Sequence, residues 1–166
     1  MSLNMACEGK VYPTTPPYQV GREKIREFAT AIGDFNPAYH DVEAAAALGY
    51  SDVIAPPTFP FVLTIRAMAA AMFDQELGID YGRIVHGEQS FEFARPLHAG
   101  DEVVVKASLE KMFAAGRNEF VVCKADVETV DGEHVVTTRS VLVSRGTAPT
   151  VDDAASDDSA TDGEAV

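Results

Sequence analysis

Between residues 31 and 41 the chain reads Ala-Ile-Gly-Asp-Phe-Asn-Pro-Ala-Tyr-His-Asp, which places a carboxylate, a carboxamide and an imidazole close together at Asp34, Asn36 and His40. Asp34 and His40 together could hold and activate one water molecule, one group as base and the other as acid. Pro37 pushes Asn36 out of the helical region, so Asn36-Pro37 supplies a turn on which the two side chains can converge. Asp34 also reads as a simple turn acid after a helix, although a carboxylate at a helix C-terminus opposes the macrodipole. His40 reads either as a catalyst or as a surface histidine of the turn. Asp41 is assigned to capping the helix that follows.

The elements around this stretch must position it. Over residues 22–32, Ile25, Phe28, Ala29 and Ile32 recur at i, i+3, i+4 and i+7, which predicts an amphipathic helix ended by Gly33. A short alanine-rich helix is expected over 42–48, with Asp41 as N-cap and Gly49 as its stop. After Pro56-Pro57, Thr58 is the candidate cap of a longer helix running to about Asp74. That helix carries Phe59, Val62, Leu63, Ile65, Ala69, Met72 and Phe73 and has almost no polar face, so it is expected to be surrounded by protein. Its small residues Ala67, Ala69, Ala70 and Ala71 would let a sheet approach closely.

The second half changes to a period of two. Gln89, Phe91, Phe93 and Arg95 alternate with polar or small residues, and Val103, Val105, Ala107 and Leu109 do the same. Strands are also expected over 120–130 and 134–144, joined by a two-residue hairpin at Asp131-Gly132. Turns are expected at 98–101 and 115–118. Helices first and an antiparallel meander afterwards make an α+β plan, one long apolar helix against a curved sheet. Residues 1–20 read as an extended opening segment, residues 1–146 as one domain, and residues 147–166 as an acidic disordered tail.

Composition excludes several classes. The formal charge is −13, of which six acids lie in residues 147–166 without any Lys or Arg. The remainder is still acidic, so a basic nucleic-acid footprint is absent. The apolar run over 55–73 is interrupted by Arg66 and opens on three prolines, which argues against a membrane span. Cys7 and Cys123 belong to no metal-ligand spacing and read as reduced thiols of a cytoplasmic protein. Four scattered histidines without paired spacing give no metal site, and no cofactor motif appears. His86, next to Gly87, reads as a core or interface residue, His98 and His134 as surface residues, and Arg66 as a charge at a partner interface.

Three segments resemble a known family. Gly33-Asp34-Phe35-Asn36-Pro37 with a histidine close behind is similar to the motif of MaoC-like (R)-specific enoyl hydratases and (3R)-hydroxyacyl thioester dehydratases. Val53-Ile54-Ala55 lies where that family leads into its central helix. Residues 91–101, Phe-Glu-Phe-Ala-Arg-Pro-Leu-His-Ala-Gly-Asp, resemble its Phe-x-x-Pro-x-x-x-Gly-Asp pattern. The likeness covers about residues 8–146 and is closest to small actinobacterial single-hot-dog subunits of the mycolic-acid dehydratase type. It implies the hot-dog fold, an antiparallel sheet wrapped around a long central helix. It also implies cofactor-free hydration or dehydration of trans-2-enoyl and 3-hydroxyacyl thioesters of CoA or acyl carrier protein. The carried-over roles put Asp34 and His40 on the proton transfers, with Asn36 and Tyr39 in support. Thr58 and His86 become possible oxyanion or substrate contacts.

The chain departs from that pattern twice. In the family the histidine stands five residues after the aspartate; here Tyr39 holds that place and His40 follows it. The family has His-Gly at the entrance of the central helix, where the glycine N–H serves the oxyanion; here Pro56-Pro57 stand, and proline has no N–H. The first reading is a hydro-lyase with Asp34 and His40 on the proton transfers; the alternative is a non-catalytic acyl-chain-binding subunit of a heterodimer, and a more distant one is a hot-dog thioesterase. The first two imply a dimer, either of identical chains or with a second MaoC-like subunit.

Overall fold

A computed structural model describes residues 2–149 of the chain. Its strands are β1 (Tyr18–Gln19), β2 (Ile84–Phe93), β3 (Glu102–Ala115), β4 (Asn118–Thr129) and β5 (His134–Ser144). They form one antiparallel sheet in the order β1-β3-β4-β5-β2. Three helices precede the long strands: α1 (Arg22–Ala31), α2 (Val42–Ala47) and α3 (Pro60–Met72). The sheet curls around α3, which packs on β3, β4 and β5. This is the expected α+β hot-dog architecture.

Strand alternation decides which side chains meet α3. Along β4, Glu119, Val121, Cys123, Ala125 and Val127 are buried, and the residues between them are partly exposed. Ala67 of α3 shares a core cluster with Ala107 and Ala125, so small residues face small residues and the helix sits close to the strands. Further along, Met68 and Ala71 pack with Leu109, Met112, Val121 and Leu142. Buried Glu119 is satisfied by Ser2 Oγ at 2.5 Å and the Leu3 N–H at 2.9 Å, which anchors the start of the chain.

The opening segment is a structural strap. After a 3₁₀ turn at Met5–Cys7 it runs along the edge of β3, with N–H groups of Gly9, Tyr12 and Thr15 donating to Leu109, Ala107 and Val105 at 2.8–3.0 Å. One sheet edge is therefore covered. Among the described residues the other edge, β2, pairs with no further strand, and it is mostly exposed along its length.

Several expectations are corrected. Helix α3 starts at Pro60 with Phe59 at the N-cap, and Thr58 lies outside it without capping. Proline is pre-set for the first helical turn, so the helix begins at Pro60. Nor is α3 surrounded: Ile65 is 50% exposed, Phe73 74%, and Arg66 lies on the same outward side. Ile32, assigned to the inner face of α1, is 49% exposed. The β4–β5 connection is not a two-residue hairpin. Thr129 pairs with Glu133 across Val130, Asp131 and Gly132, a turn closed by a left-handed Gly132 at φ 92°. Strand β2 begins at Ile84, before the alternating run, and bulges between His86 and Glu88. A Cβ on Gly87 would sit 2.9 Å from Val143 Cγ2, so glycine is required at the bulge. Thr147 is buried, and its hydroxyl donates to Ser144 O. From residue 150 the expected acidic tail lies outside the described residues.

Candidate active site

The Asp34 turn follows from the end of α1. Gly33 takes a left-handed φ of 74°, and the Asp34 N–H returns to Ala29 O at 2.9 Å. Asp34 Oδ1 accepts the Asn36 N–H at 3.2 Å, and Asn36 Oδ1 in turn accepts the Ala38 N–H at 3.1 Å. Asn36 thus caps a single 3₁₀ turn, Pro37–Tyr39. Its side chain is exposed and holds the loop.

A 3₁₀ turn has three residues per revolution, so successive side chains diverge widely. Tyr39 and His40 go to different places. The His40 ring lies back over the turn, with Nε2 at 3.2 Å from the backbone carbonyl of Asp34. It stacks on exposed Phe35, with ring centroids 6.3 Å apart and planes 23° apart. Arg26 Nε donates to the His40 carbonyl at 2.9 Å and fixes the backbone there. The contact to the Asp34 carbonyl requires the proton on Nε2, the nitrogen nearest the aspartate. Asp34 and His40 therefore share one turn, but no hydrogen bond joins the imidazole to the carboxylate.

Tyr39 goes inward. It is buried and lines a cavity of about 280 Å³ with Ile54, Ala55, Pro57, Phe93 and Pro96. Burial pushes its phenol above the ordinary value, and the negative charge of Asp34 adds to that. The side chain at the cavity that feels the Asp34 charge is thus a phenol, and no hydrogen bond joins the two.

The entrance of α3 offers little to an oxyanion. Pro56, Pro57 and Pro60 carry no N–H. The N–H groups of Phe59, Phe61 and Val62 are taken by Pro56 O, Thr58 O and Phe59 O at 2.9–3.1 Å. Among the described residues of this turn, only the Thr58 N–H remains without a partner. Backbone bonds from Ile54 to Ala38 and from Ala55 to Leu97 tie the entrance to the motif turn and the sheet.

Thr58 and His86 face one hollow. With Phe28, Phe61, Gln89 and Phe91 they line an open trough of about 490 Å³ between α3 and β2. The Phe61 and His86 rings are 5.7 Å apart, and beyond them the trough leads to a further hollow of about 200 Å³ among Ile65, Met68, Met72 and Leu142. Gln89 was not singled out from sequence. Its signal was its place on the same alternation face as Phe91 and Phe93. Its Oε1 accepts the Ser140 hydroxyl at 2.5 Å, so its carboxamide is held at the trough wall.

The other titratable residues are occupied elsewhere. His98 lies beside Asp101, and His134 Nε2 is 3.3 Å from Thr137 Oγ1. Among the described residues no group of His, Cys, Asp and Glu could hold a metal ion. No described helix is long and apolar enough to cross a membrane.

Comparison with known proteins places this geometry. Curated relatives include the UPF0336 proteins of Streptomyces coelicolor, 50% identical over 145 residues (87% of this chain, 97% of that protein), and of Saccharopolyspora erythraea, 49% identical over 148 residues (89% and 95%). Among solved structures, a chain of the C-terminally truncated HadBC (3R-hydroxyacyl-ACP dehydratase) complex of Mycobacterium tuberculosis matches with TM-score 0.72 and 32% identity, over 82% of this chain and 96% of that one. A MaoC-like dehydratase matches with TM-score 0.79 and 32% identity, over 89% of this chain and 43% of that longer one. The R-hydratase PhaJ1 of Pseudomonas aeruginosa shares the fold at 19% identity, with TM-score 0.62 over 85% of this chain and 83% of that one. The model of the FAS1-like dehydratase domain region matches residues 6–138, so the chain belongs to that family, among the MaoC-like hot-dog dehydratases and hydratases.

Proposed function

We propose that this chain is the acyl-binding half of a heterodimeric hydro-lyase that interconverts trans-2-enoyl and 3-hydroxyacyl thioesters of CoA or acyl carrier protein. The observation that carries this reading is the divergence of Tyr39 and His40. The imidazole is engaged with the backbone of its own turn, and a phenol occupies the cavity beside Asp34. A neutral phenol is a poor general base near neutral pH.

The division of labour follows from the parts present. The partner, a second MaoC-like subunit, supplies an aspartate and a histidine that hold the water. One takes its proton as oxygen adds to C3, and the other delivers a proton to C2; dehydration reverses both steps. This chain supplies the apolar trough for the acyl chain, with Gln89 and His86 at its wall and the Thr58 N–H near the thioester oxygen. The β2 edge, unpaired among the described residues, and the outward Ile65 of α3 and Phe73 at its end are the surfaces such a subunit would cover. The likeness to a chain of a 3R-hydroxyacyl-ACP dehydratase complex supports the same reading.

A second reading rests on Asp34 itself. Its carboxylate accepts a single backbone N–H and meets no cation among the described residues, so it is free to act as a base in a homodimer once the His40 ring leaves the turn. Hydration of crotonyl-CoA separates the two. The chain alone is expected to be inactive, and active when co-purified with a MaoC-like subunit that keeps the five-residue Asp–His spacing. Asp34→Asn in this chain should leave the joint activity within about twofold. Activity of the chain alone that disappears in Asp34→Asn would overturn the proposal in favour of the homodimeric enzyme. Release of free thiol without hydration would instead mark a thioesterase.

A further inference from the structure

On the side of α3 away from the trough lies a second apolar hollow. The strap residues Pro16, Pro17 and Tyr18 roof it, Val103 and Val105 of β3 floor it, and Leu63 of α3 closes it, enclosing about 270 Å³. It shares no lining residue with the trough around Thr58, His86 and Gln89. It therefore does not belong to the acyl path described above, and it does not depend on which subunit performs the chemistry.

Arg66 stands at its mouth. The side chain is exposed, with Cζ 6.0 Å from the centre of the Tyr18 ring. In a chain of net charge −13 most cations are paired: Arg22 with Asp52, Lys24 with Glu27, Arg26 with Glu23, Arg95 with Asp101, Arg139 with Glu110. Arg66 has no carboxylate within salt-bridge distance among the described residues. Thr15 adds a second donor at the rim. Its Oγ1 accepts the Val105 N–H at 2.9 Å, and its hydroxyl proton has no acceptor among the described residues.

An apolar slot with a guanidinium and a hydroxyl at its opening suits a molecule with a hydrocarbon tail and a planar anionic head. The tail itself leaves water, against a wall of Leu63, Val103 and Val105 that is already buried. A carboxylate matches the two-pronged donor geometry of arginine and leaves a lone pair for the threonine hydroxyl. We propose that this slot binds a medium-chain aliphatic carboxylate, with its chain between the strap and α3 and its head on Arg66 and Thr15. A free acid of this kind is what hydrolysis of an acyl thioester yields, so the slot would distinguish the acid from the thioester held in the trough.

The test uses the full chain and sodium octanoate, with n-octanol as the neutral analogue, followed by amide shifts in ¹⁵N spectra. Octanoate is expected to move Tyr18, Leu63 and Val103, and to bind about tenfold more weakly to Arg66→Gln. Octanol should bind both proteins equally, and Arg66→Lys should recover part of the octanoate affinity. Shifts confined to Gln89 and Phe91, or equal affinity of the unaltered chain for octanoate and octanol, would overturn the proposal. So would an Arg66→Gln chain that binds octanoate undiminished.

Discussion

The dipeptide Gly-Asp occurs at 33–34 and again at 100–101, and the two copies have opposite fates. Both glycines are left-handed, with φ 74° and 95°. Asp101 is buried, and its carboxylate takes two nitrogens of Arg95 at 2.8 and 3.0 Å and the His98 N–H at 2.9 Å. Its turn also holds the strap, through Val20 N–H to Asp101 O and Gly100 N–H to Val20 O. Asp34 is half-buried and receives one backbone N–H at 3.2 Å. Local turn chemistry is shared; the difference is whether a distant strand brings a cation. A carboxylate bound by arginine and backbone holds the fold, and one left with a single weak bond is free for chemistry or for a neighbouring phenol.

That comparison can be broken most forcefully at Asp101. Asp101→Asn leaves Arg95 with Glu133 as its one carboxylate partner, beside the Pro96 carbonyl, and is expected to cost about 3 kcal/mol, a fall of roughly 10 °C in Tm. A melting temperature within a degree or two of the unaltered protein would show that the clamp is not structural. Asp34→Asn should change stability by less than about 0.5 kcal/mol, measured by urea unfolding. A loss comparable to that of Asp101→Asn would erase the distinction between the two turns.

The smallest effect is the most specific. The Tyr39 phenol is held up first by burial and second by the charge on Asp34. Asp34→Asn should therefore lower its pKa while leaving it above the ordinary value of 10.0. Ultraviolet titration, taken as a difference against Tyr39→Phe, reads this directly, and an unmoved phenol would sever the link between Asp34 and the cavity. The sign carries over to stability. A phenol whose pKa is higher folded than unfolded contributes fully below about pH 10, and that contribution is lost as the pH rises through the folded value. The alkaline decline traceable to Tyr39 should be smaller in Asp34→Asn.

Much of this was legible from residue types. The caps and stops at Gly33, Asp41 and Gly49 act within one turn of chain, and the alternation of Val103, Val105, Ala107 and Leu109 in β3 reports directly which face is buried. Two signals misled. The apolar character of α3 spoke of burial, but in this chain Ile65 and Phe73 point outward, because hydrophobicity does not say whether a surface is covered by the same chain or another. Gln89 lay unnoticed among aromatic neighbours because alternation assigns a face without saying that the face borders a cavity.

By itself the sequence settled most elements, though not the start of α3 or of β2, since periodicity and caps are set by residues a few positions apart, and the Asp-x-Asn-Pro turn carried the resemblance to the family. It also displayed the shift from a histidine five residues after Asp34 to one six residues after. What the shift does was decided only by the tertiary structure. The 3₁₀ turn separates Tyr39 from His40, Arg26 and Phe35 settle the imidazole outside, and Ile54, Pro57, Phe93 and Pro96 receive the phenol inside. Those partners come from four different parts of the chain. No local pattern encodes where they meet, because side-chain direction in a turn is chosen by the packing it finds.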